Sequence, residues 1–383
     1  MPATGNAVGR LALAALPYTV FIYAVATLTS MAGMEMAGGL MQALVVLYFL
    51  SDVRSLPANV KRFGTRADWA LLILFATVVV GAFTTDSALL SRADVIGSAR
   101  WTLLFFLTRA AVGLTWSKNA QPAFAILIAV TGLIAFYALF QSVTGVPSFR
   151  AHGLFGSPFT FAHSMAMTAC FPFAFAFLGV WREHRVNLTL ALWALACGLS
   201  VVASFDRGAW YALSAALLVM MALAGGRRLV AVLAVLLVLA AALWLWAPGL
   251  VDPRAASVLD SDFRSGLDRV SSWNANSQAF VGAAIVGLAC YLFFAAYFFW
   301  ITVRAWFLIP TGRSWERAAV LGALGAQVAL HVGGLSASNF EDAAVNHLFL
   351  LILAVAAAIY GHYLDEHGGL IKRPRNETSP SGI

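Results

Sequence analysis

The chain predicts an all-α, polytopic integral membrane protein, and three observations carry that prediction. Hydrophobic residues make up 61% of the sequence and charged residues 11%. The mean hydropathy is +0.83, which leaves too little polar surface to cover a water-soluble globule of 383 residues. Apolar runs of the length that crosses about 30 Å of hydrocarbon recur from end to end. The basic residues, finally, divide unequally between the two sides that those runs define.

Twelve runs qualify, at roughly 11–30, 37–51, 68–85, 101–116, 122–142, 160–180, 188–205, 208–224, 229–247, 277–303, 317–336 and 345–362. The second is short, and between the seventh and eighth Asp206 and Arg207 leave almost no room for a loop. With the N-terminus inside, the inner segments hold Arg10, the cluster Arg54, Lys61, Arg62 and Arg66, then Lys118, Arg182, Arg185, Arg227, Arg228, Arg304, Arg313, Arg317, Lys372, Arg373 and Arg375. That is 16 of the 24 basic residues. Arg92, Arg100, Arg150, Arg207, Arg254, Arg264 and Arg269 fall outside, and Arg109 lies within a span. The excess of inner cations orients the chain with both termini in the cytoplasm. The first run lacks a small-residue cleavage pattern and is read as a retained span. One membrane domain is expected over 1–363, with an outer loop cap at 247–276 and a polar, disordered cytoplasmic tail over 364–383.

The formal net charge of +7 belongs to loops that face anionic headgroups. Dispersed among spans, it forms no nucleic-acid surface, and no nucleic-acid partner is expected. Cys170, Cys197 and Cys290 fall within predicted spans without paired spacing and read as small core residues. The chain carries no P-loop, no HExxH and no dinucleotide fingerprint, so neither a cofactor nor a metal is expected.

Function is sought in the outer segments. The loops TGVPSFRAHGLFGSP, from Thr144 to Pro158, and the stretch from Ala247 to Asn276 both exceed a simple turn. Between them, the SFDRG run of Ser204 to Gly208 wedges an acid and a base between two apolar helices. At that depth ionisable groups are expensive unless paired or facing a polar cavity. A structural pair or a snorkelling arginine would also account for it, and Arg109 favours such a structural reading. Arginine gives bidentate bonds to phosphate oxygens and stays charged, so Arg150, Arg207, Arg264 and Arg269 are candidate ligands for a phosphate or diphosphate. Contact with ordinary lipid phosphates is the plainer use. His152, His163, His331 and His347 stand at or near outer positions, where imidazole can act as a general base or simply pack between helices.

The stretch RAHGLFGSPFTFA, Arg150 to Ala162, resembles the R-x-x-G-x-F-x-x-P-x-x-x-A start of a span in the O-antigen ligase and Wzy-type polymerase superfamily. Ser204 to Gly208 is similar to its S-x-S-R-G turn, with Asp206 at the second serine, and a large outer loop follows one helical hairpin later. The resemblance covers about residues 100–362. It implies transfer of a glycan from an undecaprenyl-diphosphate carrier to a glycan or glycolipid acceptor at the outer face of the bacterial inner membrane, without metal or nucleotide. Partners in envelope polysaccharide assembly are implied with it. Arg207 matches the turn arginine, and Arg264 or Arg269 resembles the arginine of the large loop. The superfamily's loop histidine, however, aligns with Trp273, whose indole accepts no proton. Either His152 or His331 supplies the base, or deprotonation is unassisted, or the protein binds lipid-linked glycan without transferring it. A transporter is the competing class, although no internal repeat is evident.

The sidedness has a direct check. Single cysteines at positions 150 and 264 are expected to react with an impermeant thiol reagent in intact cells, and those at 61 and 313 only after permeabilisation. The reversed pattern overturns the orientation.

Overall fold

A computed structural model of the chain describes residues 7–53, 66–84, 92–115, 120–145, 150–180, 184–225, 288–336 and 342–371. Among them every regular element is a helix. In order these are α1 (Ala7–Thr29), α2 (Met31–Ser51), α3 (Ala67–Thr84), α4 (Arg92–Thr115), α5 (Ala120–Thr144), α6 (Pro158–Leu178), α7 (His184–Ala203), α8 (Arg207–Ala224), α9 (Leu288–Leu308), α10 (Ser314–Ser336) and α11 (Ala343–Ile371). The predicted span at 229–247, the loop at 247–276 and, with it, Arg264, Arg269 and Trp273 lie outside the described residues.

Seven of the described helices are long and apolar enough to cross a bilayer: α1, α2, α5, α6, α8, α9 and α11. That is a count among the described residues, which do not include the predicted run at 229–247. Two shorter apolar stretches, Leu103–Thr115 in α4 and Leu188–Ala203 in α7, are described besides. In α10 the first turn carries Glu316 and the interior carries Gln327 and His331. The second predicted span, 37–51, is longer in the structure, a 21-residue helix that starts at Met31. Ser30 makes this start possible as an N-cap, its side chain accepting from the Gly33 amide at 3.1 Å. Gly38 then lets α2 close against α1: a Cβ there would stand 3.1 Å from the Tyr23 ring.

Backbone packing separates two compact units, one of Met1–Gly64, Leu103–Met220 and Tyr297–Ile383, the other of Thr65–Thr102 and Met221–Ala296. The second unit contains α3, with Asp68 in its first turn, where a carboxylate complements the helix dipole. The first unit holds Arg150, His152, His163, Arg207, His331 and His347, and α6 is its centre. Buried residues fill 89% of the apolar window of α6, against 33–61% for the other membrane-length helices. Such a helix must be apolar on most sides, and Phe161, Ala162, Ala166, Met167 and Phe175, spread around its axis, are all buried. It packs on α7 and α10. Small residues let α10 approach: a Cβ on Gly322 would meet the Phe171 ring at 2.7 Å, and one on Gly325 the Cys170 sulfur at 3.0 Å. Without a hydrophobic drive between helices in lipid, this close approach is what holds them together.

Cys170 and Cys197 are buried on α6 and α7, and Cys290 is partly exposed on α9. Arg109 is 3% exposed, with its guanidinium carbon 5.0 Å from the Phe105 ring centroid and 5.5 Å from that of Phe106. It therefore packs on rings of its own helix and does not snorkel.

Because α6 and α10 touch through glycine, Gly322→Val is expected to destabilise the protein by about 1–3 kcal/mol through overpacking. Gly312→Ala, where a Cβ meets nothing within 4 Å, should leave the melting temperature in detergent unchanged. Equal stability of Gly322→Val and wild type would contradict the described packing.

Candidate functional site

The segment that precedes α6 and the turn between α7 and α8 are joined directly. Three residues, Ser204, Phe205 and Asp206, reverse the chain between those helices. The carbonyls at the end of a helix have no intrahelical partner, and here Arg150 supplies one. Its Nε donates to the Ser204 oxygen at 3.0 Å and its Nη2 to the Phe205 oxygen at 3.2 Å, while the Ala151 amide donates to the Ala203 oxygen at 3.0 Å. Phe205 has φ 55°, the left-handed region that side chains avoid. Two arginine bonds, together with Trp210 Nε1 donating to the Val201 oxygen at 3.0 Å, hold that conformation. Arg150, expected as a phosphate ligand, thus has a structural task as a clamp on the turn that carries Arg207.

His152 sits in the same segment, half-buried. Its amide donates to Gln141 Oε1 at 3.4 Å, and Gln141 Nε2 donates in turn to the Gly153 oxygen at 2.9 Å. Gly153 is required at that point: its φ is +57°, and a Cβ would strike the Phe161 ring at 2.7 Å. The His152 Nδ1 lies 2.8 Å from the Phe155 carbonyl, which can only accept. Nδ1 therefore carries the hydrogen, and Nε2 is the basic nitrogen of the neutral ring. A ring fixed in one tautomer at a helix entrance has what a general base needs.

At the start of α8, Asp206 is the N-cap. Its Oδ1 accepts from the Ala209 amide at 3.1 Å, and the Trp210 amide closes the first helical bond to its carbonyl at 3.2 Å. The other oxygen, Oδ2, faces His163 Nε2 at 3.6 Å. Burial alone would raise this carboxyl, but the His163 ring, the Ala209 amide and the Arg150 charge outweigh it and hold the group below its ordinary 3.8. His163 belongs to the first turns of α6, 2% exposed, with the Phe159 ring 4.6 Å away. Arg207 opens α8 and is half-buried, the first residue of the helix after its Asp206 cap.

Asp342 repeats the arrangement at α11. Its Oδ1 accepts from the Ala344 and Val345 amides at 3.0 and 3.3 Å, and its Oδ2 accepts from the Thr160 hydroxyl on α6. Sequence reasoning placed no role on Thr160, Gln141 or Asp342. The cap was detectable as an Asp before an apolar run, whereas the reach to Thr160 was not. His347, one turn further along α11, accepts from or donates to the Tyr23 hydroxyl at 2.8 Å and faces Glu35 Oε1 at 3.8 Å. His331, the other candidate base, is a packing residue of α10: Nδ1 reaches the Gln327 carbonyl at 2.6 Å, and Phe299 and Phe349 flank the ring at 5.4 and 5.8 Å. Arg264 and Arg269 lie outside the described residues. No group of three or more metal-ligating side chains occurs among the described residues.

No protein-family model matches this chain, and no curated protein or solved structure is significantly similar to it.

The Asp206 geometry sets a pH dependence. A carboxylate depressed on folding adds stability that is complete above its ordinary value of 3.8 and is lost as pH falls through the lower folded-state value. Asp206→Asn keeps a capping side chain and removes the charge, so its acid unfolding should lose that component. Asp206→Ala should also lose the cap, about 1 kcal/mol more. Thermal melts in detergent between pH 3 and pH 7 would separate the two.

Proposed function

We propose that this protein transfers saccharide from a polyprenyl-diphosphate carrier to a glycan or glycolipid acceptor at the outer face of the bacterial cytoplasmic membrane. The observation that carries the reading is the junction just described. The two segments that resemble the ligase and polymerase superfamily, 150–162 and 204–208, are far apart in sequence and are bonded to each other through Arg150 and Ala151. Arg207 stands at the start of α8, where the helix dipole favours an anion and a guanidinium supplies a planar fork. About twelve spans with cytoplasmic termini, the orientation favoured by the inner cations, would put this junction outside.

In the proposed reaction the acceptor hydroxyl oxygen bonds to the anomeric carbon, whose bond to the carrier phosphate breaks. The electron pair leaves on the diphosphate, and Arg207 stabilises that developing charge. The hydroxyl proton passes to Nε2 of His152, which the Phe155 carbonyl keeps in the accepting tautomer. Arg150 positions Arg207 by clamping the turn. Partners in envelope polysaccharide assembly would supply donor and acceptor.

Two variants test it by glycan assembly in cells and by transfer from a purified lipid-linked donor. Arg207→Ala should lower transfer by about 100-fold or more, with Arg207→Lys keeping part of it. His152→Ala should lower turnover by about 100-fold to 10,000-fold while carrier binding persists. Wild-type transfer by folded Arg207→Ala protein refutes the proposal.

A further inference from the structure

An N-cap does not need a charge. Serine, threonine and asparagine accept from the helix amides as aspartate does, yet residue 206 is an aspartate, next in the chain to Arg207. At a site that receives a diphosphate, a carboxylate so close would repel the ligand unless something balances it. The turn amide at Ala209 takes Oδ1. Oδ2 is met from another helix, by His163 Nε2 at 3.6 Å, with side-chain exposures of 2% for the histidine and 11% for the aspartate. The other aspartate of this end, Asp342, is directed elsewhere, to Thr160 and its own helix amides. Arg150 lies beside the turn, but its Nε and Nη2 are directed at the Ser204 and Phe205 carbonyls.

We infer that His163 is a positioning residue that balances the Asp206 charge, so that the start of α8 and Arg207 present a net attractive site to the carrier diphosphate. The inference rests on the diphosphate reading of the same site. In the protonated form of the imidazole the pair is neutral, and Asp206 then acts as a cap alone. Remove His163, and the carboxylate next to Arg207 loses the group that faces its second oxygen and keeps only the charge of Arg150 beside the turn. The consequence is specific: His163 matters to ligand binding because residue 206 is an aspartate, and it should cease to matter when residue 206 is a neutral cap.

The experiment is a double-mutant cycle read by binding of undecaprenyl diphosphate to the full chain in lipid nanodiscs. His163→Gln is the principal variant, since it keeps a polar side chain in the buried position, and His163→Ala is the second. Each is made alone and in an Asp206→Ser background, and melting temperature confirms folding. In the wild-type background His163→Gln should weaken binding by about 10-fold, the scale of one unbalanced charge near an anion in a partly desolvated site. In the Asp206→Ser background the same substitution should change binding by less than about 2-fold. An equal loss in both backgrounds, or no loss in either, overturns the inference. Arg207→Ala is measured in parallel: unchanged binding there would overturn the diphosphate reading itself, whereas a loss at Arg207 without coupling between positions 163 and 206 would remove only the role of His163.

Discussion

The first turns of α6 hold this end of the protein together through two carboxylates that each serve two helices. Asp206 caps α8 with one oxygen and faces His163 with the other, and Asp342 caps α11 with one oxygen and binds Thr160 with the other. Thr160 and His163 are three residues apart and so lie on one face of α6. Two helix starts are therefore referenced to a single turn of the most buried helix. In an apolar medium a helix end cannot leave its amides to solvent. The side chains that satisfy them become the points where helices are registered, and the candidate site inherits its geometry from those points.

Arg150 shows how one residue can be expected for one role and used in another. As a sequence feature it is an outer-side arginine in a long loop, which points to an anion. In the fold it reaches the carbonyls of Ser204 and Phe205, and so it acts on the anion site through the turn that presents Arg207. A positive φ at Phe205 would otherwise be strained for a side chain of that size. The strain, the clamp and the cap occur within four consecutive residues, 203–206, between two helices that are too close for a solvated loop.

The polar groups beyond this turn sort by what they touch. His152 is fixed by a carbonyl and by Gln141 at a half-buried position, where a ligand could reach its second nitrogen. His331 is enclosed by Phe299 and Phe349 and bonded to its own helix. Both rings are half-buried with Nδ1 on a carbonyl, and what separates them is that Nε2 of His331 is itself buried. Tyr23 and His347, both buried, bond to each other across α1 and α11, and the half-exposed Glu35 carboxylate of α2 faces the same ring at 3.8 Å.

The membrane class, the helical content and the positions of most helices were legible in the sequence, because hydropathy and length report directly on the solvent that a segment can tolerate. The start of α2 was not. Gly33, Glu35, Gly38 and Gly39 dilute its hydropathy, and only contact with Tyr23 explains why a glycine serves there. The motif residues Arg150 and Arg207 were found by type and spacing, and Asp206 as an acid wedged between two apolar helices, not as a cap. That Asp206 meets His163, that Asp342 meets Thr160, and that Arg150 grips the turn required the tertiary structure. Each of these contacts joins residues dozens to nearly two hundred positions apart, through side chains whose direction depends on how helices rotate against each other. Periodicity and composition describe one helix at a time, and so they carry no information about that rotation.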